Sequence, residues 1–296
     1  MADRPRLTSL IAWLPQGLMI GLARALPYRA RLGFASGFTR LLVAIVPNLR
    51  HRVEGNLRLI FPDMAPTERR RIRSAMADSF GRTMIEVMTR RDFQARAGWT
   101  GPTGPGWDAL QQARAAGRGA LLVSGHFGQW EAVRAALEAN GIESGALIRP
   151  VKNPFLNRDY IAQVEAGGRP VVGRDGAGLR ELVRHLRRGG VMAVLLDQYT
   201  KRGLPIDFLG HPAPSGTMIA ELALKYDLPM IPVYGTRQPD GLRVAVEFEA
   251  PIEPTTPEAM TQAAADSLAA RIRATPGQYY WLHRRWTKTF PDEGRD

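Results

Sequence analysis

The apolar run Leu121-Leu122-Val123-Ser124 breaks into Gly125-His126-Phe127-Gly128-Gln129-Trp130-Glu131. An imidazole titrates near pH 6.5, so at neutral pH it can take a proton from an attacking hydroxyl. The carboxylate five positions on opens an amphipathic segment. From the first helical turn it can fold back to the other ring nitrogen, fix the tautomer and stabilise the imidazolium as it forms. Gly125 and Gly128 permit close backbone approach, and a helix N-terminus favours negative charge. A histidine near a glutamate also suits a structural hydrogen bond. The coincidence of strand end, glycines and helix start points instead to a general-base pair, His126 and Glu131.

Other polar residues fall at predicted strand ends. Arg149 closes the strand after the motif, where it could bind a phosphate or stabilise an oxyanion, or simply be a surface cation. Asp197 ends another strand on the same predicted edge. It could orient Arg149 or a substrate hydroxyl, or cap a turn. Arg169 and Arg174 flank a short strand and the glycine-rich turn from Gly173 to Gly178. Trp281, His283, Arg284, Arg285 and Trp286 suit a stacking surface for nucleic acid, a membrane interface or core packing. His51, His185 and His211 show no metal-ligand spacing, so no metal is expected.

Alternating patterns must position these groups. Strands are expected at Ala120–Ser124, Ala146–Arg149, Pro170–Val172, Val191–Leu196, Met230–Tyr234 and Leu242–Phe248, with a short edge strand at Ile206–Phe208. Helices are expected between them at about Trp107–Ala116, Gln129–Asn140, Pro154–Glu165, Gly178–Arg188, Thr217–Tyr226 and Pro257–Ala274. This alternation predicts an α/β fold with a mostly parallel central sheet flanked by helices. In open sheets of that kind, ligands collect at the carboxyl ends of the strands. Upstream, Thr67 could cap a helix to about Thr89 whose stripe is Ile72, Met76, Phe80, Met84 and Met88. Gly101 to Gly106 reads as a linker.

Lys and Arg number 40 against 28 Asp and Glu, a net charge of +12, which favours an anionic partner. Residues 1–60 hold nine Arg against Asp3 and Glu54, in the most apolar part of the chain. Basic and apolar together favour a membrane surface over a nucleic-acid groove. Leu7 to Ala23 carries no charge but is a borderline span, interrupted by Pro15 and Gln16. Leu32 to Val46 is a second apolar stretch. Residues 1–60 are therefore read as anchoring or interfacial helices, with Arg24, Arg29 and Arg31 at headgroup level, and residues 61–296 as the catalytic domain. Two packed helices of a soluble domain are the alternative. There are no cysteines, which excludes disulfides, thiolate catalysis and cysteine-based zinc sites.

Several of these stretches, in this order, resemble the lipid A late acyltransferases, the lauroyl/myristoyl acyltransferase family within the glycerolipid-acyltransferase-like superfamily that carries a His-x4-Asp/Glu motif. The resemblance runs from Asn56-Leu57 and Phe61-Pro62 through Gly125 to Glu131, Arg149-Pro150, Lys152-Asn153-Pro154 and Asp197-Gln198. It continues in Phe208-Leu209-Gly210, Pro212, Thr217 and the segment Pro276 to Trp286. It implies His126 and Glu131 as catalytic, with Arg149, Asp197, Arg169 and Arg174 near the substrate. It implies transfer of a fatty acyl chain from acyl carrier protein or acyl-CoA to a hydroxyl of a phosphorylated glycolipid, a lipid A precursor. The place would be the cytoplasmic face of a bacterial inner membrane, with no cofactor and no nucleic acid. A lysophospholipid acceptor, or a non-catalytic basic protein binding membrane or nucleic acid, are the competing readings.

Overall fold

The computed structural model describes residues 17–96, 100–151 and 153–286, Met19 excepted. Leu7 to Ala23, the borderline span, thus lies largely outside the described residues. Helical residues at 17–18 and 20–25 precede four helices: α1 (Tyr28–Ile45), α2 (Pro47–Ile60), α3 (Pro66–Met88) and α4 (Arg90–Arg96). Pro47, expected to stop one helix, also starts the next, because proline at the first helical position loses no hydrogen bond. Pro66 does the same for α3, so its N-cap is Ala65 and not Thr67. No single described helix is long and apolar enough to cross a membrane. The α1–α2 pair reaches that length and composition only together, bent by 86°.

The rest alternates as expected: β1 (Thr100–Thr103), α5 (Pro105–Ala115), β2 (Ala120–Ser124), α6 (Glu131–Ala139), β3 (Ser144–Leu147), α7 (Pro154–Glu165), β4 (Val171–Val172), α8 (Gly176–Arg187) and β5 (Val191–Leu195). Then follow β6 (Leu204–Phe208), β7 (His211–Ser215), α9 (Met218–Lys225), β8 (Met230–Arg237), β9 (Val244–Phe248) and α10 (Pro257–Ala274). Seven strands form one sheet in the order β1-β9-β8-β2-β5-β3-β4. From β8 to β4 all neighbours are parallel, while β9 is antiparallel to β8, so β9 and its parallel neighbour β1 run opposite to the other five.

The central strand β2 is buried on both faces. Ala120 and Leu122 pack with α5 and α6, while Leu121 and Val123 pack with α8, α9 and α10. This two-sided burial explains why β2 reads as a continuous apolar run and not as an alternation. A third apolar cluster gathers Val53, Leu57, Ile72, Met76, Phe208 and Trp281 from α2, α3, the β6–β7 hairpin and the C-terminal segment.

Two expectations are corrected here. Gly101 to Gly106 is no linker, since Thr100–Thr103 pairs parallel to β9. Ile206–Phe208 is no edge of the main sheet, because it pairs only with β7 in a separate hairpin. Pro212 and Pro214 hid that partner strand, as proline argues against strand.

Candidate active site

His126 and Asp197 come from adjacent parallel strands. Ser124 on β2 and Leu195 on β5 are register partners, and each residue lies two positions beyond. His126 Nδ1 is 2.8 Å from Asp197 Oδ1, and the His126 backbone N–H donates to Oδ2 at 2.9 Å. Asp197 is fully buried and can only accept, so the ring proton sits on Nδ1. That leaves Nε2 with its lone pair. Burial alone would raise the Asp197 carboxyl, but the His126 charge and both hydrogen bonds hold it well below the usual carboxylate range.

The loop that presents His126 is fixed through its backbone. Gly128 N–H donates to Gln278 and Gln129 N–H to Gly235, while His126 C=O accepts from Tyr280 N–H at 3.0 Å. Gly128 has φ +55°, and a Cβ there would meet the Gly235 carbonyl at 2.1 Å. A Cβ on Gly125 would strike Leu268 at 2.4 Å. The glycines thus let the loop pass through a packed region.

Glu131 does not take the place expected for it. Nδ1 belongs to Asp197, and the Glu131 carboxylate pairs with Arg134 at 3.1 Å, both buried. The reason lies in the helix. Arg134 is one turn on from Glu131 and is held by the carbonyls of Val164, Ser144 and Gly168. Glu131 nevertheless lines the same cavity of about 80 Å³ as His126, together with Trp130, Tyr160, Arg149 and Arg174. Burial, then the repulsion of Arg149, lowers the Arg174 guanidinium, which shows how near the two cations lie. Two guanidinium groups beside the His126 imidazole match the charge and geometry of a phosphate.

Arg169 is not in this group. It precedes β4 and so falls at the amino edge of the sheet, where it pairs with Glu165 at 2.9 Å. Arg174 follows the same strand and reaches the carboxyl edge. Flanking a strand on both sides cannot put two residues at one site.

His283 belongs to the site though its sequence context did not assign it there. Its ring meets His126 edge to face at 4.5 Å, with Nε2 3.9 Å from Asp197 Oδ2. Burial and the His126 charge lower it to about 3, so it is neutral at pH 7. His126, Asp197 and His283 present ligand-type atoms within 4.8 Å of one another. A metal held there would break the His126–Asp197 hydrogen bond. Trp281 and Trp286, by contrast, are core residues whose indole N–H groups donate to Pro276 and Phe208.

The family model described as bacterial lipid A biosynthesis acyltransferase matches residues 4–288. The chain belongs to that family of acyltransferases. It is 28% identical to a lipid A biosynthesis lauroyltransferase of Escherichia coli, over 95% of this chain and 92% of that one. It is 27% identical to a phosphatidylinositol mannoside acyltransferase of Mycolicibacterium smegmatis, over 64% of this chain. The match spans 63% of that relative's length. A Haemophilus influenzae lipid A biosynthesis acyltransferase is 22% identical over 79% of the chain.

Proposed function

We propose that the chain transfers a fatty acyl group from a thioester, carried by acyl carrier protein or coenzyme A, to a hydroxyl of a phosphorylated lipid A precursor. The observation that carries this reading is the buried His126–Asp197 pair opening on a cavity lined by Arg149 and Arg174. His126 Nε2 takes the proton of the acceptor hydroxyl as its oxygen attacks the thioester carbonyl carbon. Asp197 stabilises the resulting imidazolium through Nδ1. Collapse of the tetrahedral intermediate breaks the carbon–sulfur bond, and the imidazolium returns the proton to the leaving thiolate. Glu131, set in the cavity by Arg134, contacts the acceptor, and Arg149 with Arg174 holds its phosphate. No metal or organic cofactor takes part.

The reaction is placed at the cytoplasmic face of an inner membrane. In support, Phe34, Phe38, Leu41 and Ile45 form an exposed apolar line on α1, and Leu18 and Leu22 are exposed before it. Such a face suits the lipid interface.

Mass spectrometry of lipid A from cells with and without the protein tests the reading. The expected result is a mass difference of one acyl chain that wild type restores and His126→Ala does not. Unchanged lipid A together with an altered glycerophospholipid or glycolipid profile would favour another lipid acceptor, the reading that the mycobacterial relative supports.

A further inference from the structure

Several surface arginines here have a carboxylate of their own: Arg71 pairs with Glu68, Arg82 with Asp78, Arg118 with Asp227 and Arg243 with Asp240. A groove of about 580 Å³ between α2 and the first turns of α3 is lined by Arg50, Arg58, Arg69, Arg70 and Arg73, with Glu54 as its single carboxylate. Glu54 is shared by Arg73 and, at 3.8 Å, Arg58. Five guanidinium groups against one carboxylate leave four positive charges unneutralised within the groove. Crowding like charges on two facing helices works against folding and favours an anionic partner.

The opposite face of α2 is tied to the active site. Asn56 donates to the carbonyls of Trp281 and His283, the segment that packs on His126. The groove therefore lies about one helix diameter, roughly 10 Å, from the site.

We infer that this groove docks an acidic protein surface, and, resting on the acyl-transfer reading above, that this protein is the carrier of the acyl donor. Two observations select a protein. From Arg50 to Arg58 the cations extend about 12 Å along α2, a spread that suits a row of carboxylates better than one compact phosphate cluster. Apart from the His51 imidazole, the groove offers no aromatic or large aliphatic lining, which a nucleotide base or a lipid chain would want. Six of the eight large exposed apolar side chains among the described residues are on α1 or before it, so a flat bilayer has a different surface to meet.

The test uses the full chain and one fatty acyl group presented as two thioesters, of acyl carrier protein and of coenzyme A. Arg58→Glu/Arg70→Glu, and the milder Arg58→Ala/Arg70→Ala, should raise KM for the carrier thioester by tenfold or more at low salt. For the coenzyme A thioester, kcat/KM should stay within about twofold. Added salt should shrink the difference, because it screens charge pairing. Binding of labelled carrier protein, followed by fluorescence anisotropy, should weaken in parallel. Unchanged KM and binding for the carrier would overturn the groove assignment, as would an equal loss with both donors. So would loss of binding to vesicles of anionic phospholipid with carrier KM unchanged. Wild-type protein that transfers from neither donor would instead overturn the acyl-transfer reading itself.

Discussion

His126 and Asp197 face each other because each stands two residues beyond a register pair, Ser124 and Leu195, on neighbouring parallel strands. Equal overhang from a fixed register turns two distant sequence positions into a hydrogen bond of 2.8 Å. The pair is therefore anchored to the centre of the sheet, and the base proposed above would be held ready before substrate arrives.

Asp197→Asn should keep the fold and lower kcat by about 10³ to 10⁴-fold, because an amide can hold the imidazole in the wrong tautomer. His126→Ala should lower it at least as far. Circular dichroism establishes folding, and initial rates with a defined acceptor give kcat. An Asp197→Asn enzyme within tenfold of wild type would show that the carboxylate does not support the base.

The His126 half of this pair was legible in sequence, and the Asp197 half only as a strand end. An apolar run, two glycines and a helix start mark β2 and its loop locally. Which carboxylate meets His126 depends on which strand pairs with β2, and strand order is not written in spacing. Proximity in sequence therefore favoured Glu131, five residues away, over Asp197, 71 residues away. The α7 and α10 boundaries, by contrast, follow from local chemistry. Pro154 and Pro257 stand at the first helical position, and Asn153 and Thr256 cap them. Arg31, expected at headgroup level, is buried and bonded to the Ala23 carbonyl at 3.0 Å. A basic residue in an apolar stretch can satisfy carbonyls inside as readily as phosphates outside.

Glu131→Gln and Glu131→Ala should differ. Both remove the charge beside the acceptor and should lower activity by about 10²-fold or more, in the range of lost acid–base or positioning groups. Only the alanine also leaves Arg134 without a side-chain partner, though three carbonyls still hold it. The expected further cost is about 1–3 kcal/mol in denaturant unfolding. Equal stability of the two variants would mean that a neutral hydrogen bond from Arg134 to residue 131 contributes nothing beyond the lost charge.

Glu86 is a buried carboxylate in the last turn of α3, and the apolar stripe gave no sign of it. It accepts from Arg237, from Tyr28 at 2.8 Å and from Gln129 at 2.6 Å, joining α1, β8 and the His126 loop. Gln129 in turn accepts from the Glu131 N–H at 3.1 Å. Removing one partner of a buried pair costs about 3–5 kcal/mol. Glu86→Ala should cost that much, and Glu86→Ala/Arg237→Ala less than the two single losses added. Strict additivity in the double-mutant cycle would show that the pair is not coupled.

His283 gives the fold a dependence on pH whose sign is fixed by its burial. Folded, its imidazole is lowered to about 3, against 6.5 in the unfolded chain. Between those values the unfolded chain binds a proton that the folded chain does not, so stability falls as pH falls. The slope is at most about 1.4 kcal/mol per pH unit for one proton. From pH 7.5 to 5 the wild type should lose about 2 kcal/mol through this group, and His283→Gln should lose correspondingly less. Asp197 acts lower. Its folded value is depressed, so its contribution is complete above the ordinary carboxyl range and is lost only as pH falls below about 4. Unfolding curves at pH 7.5, 6 and 5 therefore exclude Asp197, and the difference between wild type and His283→Gln separates His283 from the other four histidines. Parallel pH profiles for the two proteins would mean that His283 is protonated in the fold, which would place a cation against His126 and raise the cost of forming the imidazolium.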